Sequence, residues 1–90
     1  MTLRLRDGVS SADTDYGIVL LDEDSGRYWN LNPTAALALR TLLEGGTPAE
    51  AVRRLIERYA VAASAADRDV RALVHELHSA GLVERQERAP

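Results

Sequence analysis

The change of pattern at Asn32-Pro33 is the feature that most restricts the possible folds of this chain. Before it, short apolar segments are separated by Gly, Ser and Asp, which is typical of strands and turns. Asn32 is a suitable N-cap and proline fits the first helical position, so the pair predicts the start of a helix. After it, apolar residues recur three and four positions apart. The chain is therefore predicted to place its strands first and its helices last.

Three strands are predicted before this point. Thr2–Arg6 alternates apolar and polar residues, and Tyr16–Asp22 contains four consecutive apolar residues. Arg27–Leu31 follows an acidic turn that closes at Gly26. The intervening segment Asp7–Asp15 is rich in Ser and Asp and is predicted to be a loop.

The third predicted strand has two distinct faces. Because side chains alternate along a strand, Arg27, Trp29 and Leu31 share one face. Tyr28 and Asn30 share the other. We expect Trp29 and Leu31 to point toward the core.

Three helices are predicted in the remainder of the chain. The first runs to about Glu44 and ends at Gly45-Gly46. Thr47-Pro48-Ala49-Glu50 is a capping box that begins the second, and Ser64-Ala65-Ala66-Asp67 resembles one that begins the third. The third helix is predicted to end at Gly81, after which the chain folds back on the core.

The last two helices each carry one apolar stripe, and together with the strands they indicate the fold class. The stripe residues are Val52, Leu55, Ile56 and Tyr59 in the second helix, and Val70, Leu73, Val74 and Leu77 in the third. The predicted fold is α+β, with a three-stranded antiparallel sheet followed by a three-helix bundle. This β-β-β-α-α-α order resembles a winged helix whose strands come first.

Composition narrows the possible classes of function. Ninety residues suffice for one domain, which we expect over residues 1–84, with a flexible tail at 85–90. The absence of cysteine removes disulfides and thiolate chemistry and suits a cytoplasmic protein. We expect no signal peptide and no membrane span, because no apolar segment is long enough. The net charge of −3 and the lack of a basic patch argue against nucleic-acid binding.

No arrangement of residues indicates catalysis. His75 and His78 are three positions apart on a predicted helix, whereas the helical zinc motif H-E-x-x-H places its histidines four apart. The sequence marks no third metal ligand. It also contains neither a G-x-S-x-G elbow nor a phosphate-binding loop. We therefore expect no enzymatic activity, no metal and no cofactor.

The segment Arg27–Leu31 is the best candidate for a binding site. In a three-stranded sheet the edge strands carry unpaired backbone groups. One interpretation is that Arg27 and the acidic turn only protect this edge against aggregation. The other is that the edge accepts an incoming strand. If the third helix lies beside this strand, the two line a groove with apolar walls and an acidic rim from Asp67, Asp69 and Glu76. That groove suits an extended peptide with apolar anchors and basic residues.

Three segments, in this order along the chain, resemble the PqqD-like family of leader-recognition domains. They are Leu20-Leu21-Asp22 with residues 25–36, then residues 42–48, then Asp69-Val70 with Leu73, Leu77 and residues 80–83. The resemblance covers about residues 16–84. Within the family, the chain is most similar to the stand-alone recognition proteins of lasso-peptide clusters.

This resemblance implies a non-catalytic protein that binds the leader of a ribosomally made precursor peptide. The leader would add as an antiparallel strand to Arg27–Leu31 and pack against the third helix. The bound precursor would be presented to a transglutaminase-like leader peptidase, and possibly to an ATP-dependent cyclase similar to asparagine synthetase. The implied peptide-binding residues are Arg27, Tyr28, Trp29, Asn30, Leu31, Asp69, Val70, Leu73, Val74 and Leu77.

Three other functions remain open at this point. A winged-helix DNA-binding protein would place its third helix, with Arg68 and Arg71, in the major groove. A PqqD-like domain would also suit another pathway, such as one leading to a quinone cofactor or a radical-modified peptide. A metal-dependent hydrolase would use His75 and His78.

Overall fold

The computed structural model describes residues 2–86, and the side chains of residues 3–85. Its elements in chain order are β1 (Thr2–Leu5), β2 (Val9–Thr14), β3 (Gly17–Asp22), β4 (Arg27–Leu31), α1 (Pro33–Leu43), α2 (Pro48–Tyr59), α3 (Ala63–Ser79) and β5 (Val83–Gln86). The fold is α+β, and its strands form antiparallel sheets, as predicted. In the part of the chain so described, no helix is both long and apolar enough to cross a membrane.

The predicted composition of the sheet was wrong in two respects. The three-stranded sheet has the order β2-β3-β4, and β1 pairs instead with β5 in a separate two-stranded sheet. β2 lies inside the segment Asp7–Asp15, which was predicted to be a loop. Its polar sequence shows no apolar alternation because its side chains are mostly exposed, and it is held by backbone pairing to β3.

The predicted C-terminal tail also needs correction at its start. Arg85 and Gln86 belong to β5 and pair with Leu3 and Thr2 of β1. The apolar pattern gives no signal for β5, since its last three residues are polar and its pairing partner lies at the other end of the chain. Residues 87–90 lie outside the described residues.

Two of the three predicted helix starts are confirmed. The side chain of Asn32 accepts a hydrogen bond from the backbone N–H of Ala35 at 2.9 Å, and Thr47 caps α2 in the same way through Glu50 at 3.1 Å. The cap predicted at Ser64 was wrong. α3 begins at Ala63, so Ser64 lies inside the helix, and the N-cap position is held by Ala62, which has no side-chain acceptor. The alanine-rich first turn favours the helix without a cap.

The core lies between the inner face of the three-stranded sheet and the helices. α1 is the central element, since it packs against β1, β3, β4, α2 and α3. The largest fully buried apolar side chains are Leu20, Leu39, Leu42, Val70 and Leu82. β4 and α3 both pack against α1, and a groove runs between them.

Candidate peptide-binding groove

One edge of the three-stranded sheet lies beside α3. β4 pairs with β3 from Arg27↔Asp22 to Leu31↔Ile18, and among the described residues it has no strand on its other side. The carbonyl of Leu31 points toward β3, because a Cβ added at Gly17 would collide with it. Backbone orientation alternates along an antiparallel strand, so the N–H and C=O groups of Tyr28 and Asn30 point away from β3. These outward groups are free to pair with an added strand.

A cavity of about 600 Å³ lies between β4 and α3. Its β4 wall is formed by the residues predicted for peptide binding, with the exception of Tyr28. Its α3 wall comes from the C-terminal half of the helix. The lining residues are Arg27, Trp29, Asn30, Leu31, His75, Glu76, Leu77, Ser79 and Ala80.

A second cavity of about 280 Å³ extends the groove toward α1 and α2. Its lining combines small residues, among them Ala35, Ala38 and Ala72, with polar and acidic ones. Glu76 lines both cavities, so the two adjoin along α3. We call these two adjoining cavities the leader groove, after the ligand that the family resemblance implies.

The β4 side chains divide between the two faces of the sheet as predicted. Trp29 and Leu31 are half-buried and pack against the core, whereas Tyr28 is 66% exposed on the opposite face. The Arg27 guanidinium lies 5.2 Å from the centre of the Trp29 ring, a cation–π distance. The indole therefore forms a supported apolar wall beside the free strand edge.

The rim of the leader groove is acidic on its α3 side. Asp69 and Glu76 are both exposed and lie two helical turns apart on the same face. On the β4 side, Arg27 is the one cationic side chain among the described lining residues, and it lies at the end near the hairpin turn. A peptide with basic residues opposite α3 would match this distribution of charge.

Arg6 ties the two walls of the leader groove together, a role that no sequence pattern indicated. Its Nε donates to the carbonyl of Gly81, just beyond α3, at 2.6 Å. Its Nη atoms lie 3.0 Å from Asp22 and 3.2 Å from Asp24, at the turn that leads into β4. The role of Arg6 can be recognised only in the folded structure, because its partners are distant in the sequence.

The Asp22 carboxylate is the centre of this polar junction. Partial burial acts to raise the pKa of Asp22, but hydrogen bonds from Ser25, from the turn backbone and from Arg6 outweigh burial. The resulting pKa lies below the usual value for aspartate. The charged form is therefore the one that the junction favours.

The α3 residues predicted for peptide binding fall on different sides of the helix. Asp69, Leu73 and Leu77 line the leader groove, although Leu73 and Leu77 are also buried in the core. Val70 is buried, and it lines a different cavity together with Val74. The structure therefore does not place Val70 and Val74 at this groove.

The sequence reasoning missed the α3 residues that line the groove beside the apolar stripe. A stripe of large apolar residues marks the buried side of a helix, whereas a groove wall lies at the margin of that side. The missed residues include Ala72, His75, Ser79 and Ala80, of which the two alanines are small and carry no apolar signal of their own. The spacing of these alanines from Asp69, Leu73 and Glu76 at i, i+3, i+4, i+7 and i+11 would have identified the face.

Comparison with known families gives a match over most of the chain. Residues 17–83 match the family model described as coenzyme PQQ synthesis protein D (PqqD). The chain belongs to the PqqD family. The matched region of this PqqD-family chain begins at β3 and ends at the start of β5, so it includes both walls of the leader groove. No curated protein sequence matches the chain.

Two solved structures resemble this PqqD-family chain over nearly its whole length. Lasso peptide synthetase B1, complexed with the leader peptide, is 46% identical to it, with a TM-score of 0.86 over 94% of this chain and 100% of that one. TbiB1 in complex with the TbiA(beta) leader peptide is 30% identical, with a TM-score of 0.80 over 98% of this chain and 100% of that one. Both of those proteins hold a leader peptide.

Proposed function

We propose that this chain is a non-catalytic adaptor that binds the leader of a ribosomally made precursor peptide, most simply a lasso-peptide precursor. The observation that carries the proposal is the free edge of β4 beside the leader groove. An edge strand supplies backbone hydrogen bonds to any extended peptide, and the adjacent groove supplies selectivity for its side chains. The leader complexes of the two similar structures support the same reading.

In this proposal the leader forms a fourth strand, antiparallel to β4. The outward backbone groups of Tyr28 and Asn30 pair with it, and its alternate side chains enter the leader groove. Each backbone hydrogen bond contributes about 0.5–1.5 kcal/mol, and each buried apolar anchor about 1.5–3 kcal/mol. Because lost translational and conformational entropy offsets much of this gain, we expect a Kd in the micromolar range or below.

The proposed recognition unit is a single domain. It covers residues 1–84 and also Arg85 and Gln86, the last two residues of β5. It acts in the cytoplasm, where precursor peptides are synthesised. The proposed partners are the precursor leader, a transglutaminase-like leader peptidase and possibly an ATP-dependent cyclase. The chemistry belongs to those enzymes, and the adaptor raises the local concentration of their substrate.

Isothermal titration with the synthetic leader from the neighbouring precursor gene tests the proposal. We expect saturable one-to-one binding that a scrambled leader does not reproduce. The same titration with duplex DNA tests the winged-helix alternative, for which salt-dependent binding would be the positive result. Saturation by DNA but not by the leader would contradict the adaptor.

A variant that fills the groove tests its location. Ala72 is exposed and lines the narrower cavity, so Ala72→Trp should block that cavity and weaken leader binding at least tenfold. The matched control is Ala63→Trp, at an exposed position on the same helix outside the leader groove. Leu73→Glu is a poorer test, because Leu73 is only 7% exposed and a buried carboxylate would disturb the fold. Equal affinities of both tryptophan variants would contradict the site.

A further inference from the structure

α3 carries a second cavity on the side that does not face β4. This cavity has a volume of about 510 Å³ and lies between α3, the first residue of α2 and the middle of β5. Val70 and Val74 contribute to it, and these are the two residues that were predicted for the leader groove. His75 lines both this cavity and the leader groove, so the two sites adjoin at one residue of α3 and otherwise have different linings.

The second cavity combines an apolar floor with a basic rim. Val70, Val74 and Pro48 supply the apolar surface, and Arg71, His78 and Arg85 stand around it. Among the residues whose side chains the structure describes, no carboxylate lines the cavity, although the chain as a whole has a net charge of −3. The basic rim is therefore a local feature, opposite in sign to the rim of the leader groove.

Arg71 of the rim can also exchange its ion-pair partner Asp67 for a carboxylate of a bound protein. Arg71 pairs with Asp67 at 3.0 Å, but the two side chains are 79% and 53% exposed. An exposed pair of this kind contributes little to stability. A carboxylate brought by a partner would replace Asp67 at small cost and would gain a less hydrated environment.

We propose that this cavity anchors an acidic segment, carrying at least one apolar side chain, of the enzyme that processes the bound leader. The inference rests on the proposed adaptor function and adds the position of the second partner. Among the described residues His75 is the one that lines both sites, so the leader and the enzyme segment would otherwise contact different residues of α3. The cavity holds only a few side chains, so it serves as the anchor of a larger interface, which typically buries about 1,600 Å².

The test reverses the charge of the rim and leaves the leader groove untouched. The double variant Arg71→Glu/Arg85→Glu is compared with Arg53→Glu/Arg68→Glu, which makes the same change in net charge at exposed positions outside both cavities. For each protein we would measure leader affinity by titration. The second measurement is the rate at which a purified transglutaminase-like peptidase from the same gene cluster removes the leader from the precursor.

The expected result is a loss confined to the enzyme step. Arg71→Glu/Arg85→Glu should bind the leader within about twofold of wild type, but leader removal should slow at least tenfold at limiting enzyme. The control should match wild type in both measurements. Raising the ionic strength should slow the wild-type reaction toward that of the rim variant.

Three outcomes would overturn the inference. Equal cleavage rates for the rim variant and the control would leave the adaptor function standing and remove the docking site. A rim variant that loses affinity for duplex DNA but keeps its cleavage rate would assign the cavity to nucleic acid. Failure of the wild-type chain to bind leader would remove the adaptor function and, with it, this inference.

Discussion

The two edge strands of the three-stranded sheet, β2 and β4, offer the same kind of unpaired backbone but lie in different surroundings. β2 is exposed over nearly its whole length, and only Val9 is half-buried. Its Asp13 is held by Arg40 of α1 at 2.8 Å. β4 instead presents half-buried Trp29 and Leu31 beside a groove whose far wall is α3.

The difference separates the two requirements for recognition of an extended peptide. A free edge alone supplies hydrogen bonds that any sequence satisfies, and polar residues on such an edge discourage unwanted pairing. A free edge with a groove beside it also reads side chains. We call the β2 edge protected and the β4 edge, which is the proposed binding site, receptive. Matched substitutions on the two edges test this distinction.

The largest effect is expected from proline on the receptive edge. Tyr28→Pro removes an outward N–H from β4 and leaves a leader carbonyl without its donor, which should weaken leader binding by about tenfold to a hundredfold. Its counterpart is Ser11→Pro, which removes an outward N–H from β2 by the same alternation. Titration should show the second variant within about twofold of wild type. Equal losses would mean that the leader does not select β4.

A smaller loss is expected when the apolar wall is removed. Trp29→Ala deletes the half-buried indole beside β4 and should weaken leader binding about tenfold, because roughly 1.5 kcal/mol of apolar contact is lost. Val9→Ala removes a half-buried apolar side chain from the other edge. If both variants bind leader alike in the titration, the groove does not contribute to recognition.

The acidic rim should have a weaker, salt-dependent effect. Asp69→Asn with Glu76→Gln neutralises the rim of the leader groove and should raise the Kd about threefold for a leader with basic residues. The difference from wild type should shrink as salt is added. Asp13→Asn, on the β2 side, should leave the Kd unchanged. A rim variant that binds more tightly than wild type would show that the groove does not receive basic residues.

The smallest effect at neutral pH is expected for Asp22, and it is an effect on the stability of the fold. Asp22 pairs in register with both edge strands, through Val9 and Arg27. Because the folded-state pKa of Asp22 is lowered, its charged form stabilises the fold above the unfolded-state pKa of about 4. That stabilisation is lost as the pH falls through the folded-state pKa. Denaturation curves from pH 7 to 2 should therefore show a smaller loss of stability for Asp22→Asn than for wild type. Parallel curves would exclude this role.

The elements that bury apolar residues were predictable from the sequence. α1 and α2 begin at the predicted caps, and β3 and β4 match the predicted strands closely, since each combines a local signal with an apolar face. β2 was missed because it is held by backbone pairing without apolar alternation. β5 was missed because its partner lies at the other end of the chain.

The candidate site was predictable on one wall only. β4 was identified because alternation fixes the face of each strand residue. On α3 the apolar stripe identified Val70 and Val74, which the fold places on the other side of the helix. The contribution of Arg6 depends on contacts that form only in the folded chain, so no local sequence pattern predicts it.

The Arg6 junction also has a consequence for the order of folding. Arg6 and Gly81 are 75 residues apart in the sequence, and the hydrogen bond between them joins the two walls of the leader groove. Closing so long a segment costs conformational entropy, so contacts of this separation slow folding. During synthesis, the walls cannot be joined until the C-terminal end of α3 has left the ribosome. The junction that fixes the two walls relative to each other therefore forms only after the whole segment from Arg6 to Gly81 is available to fold.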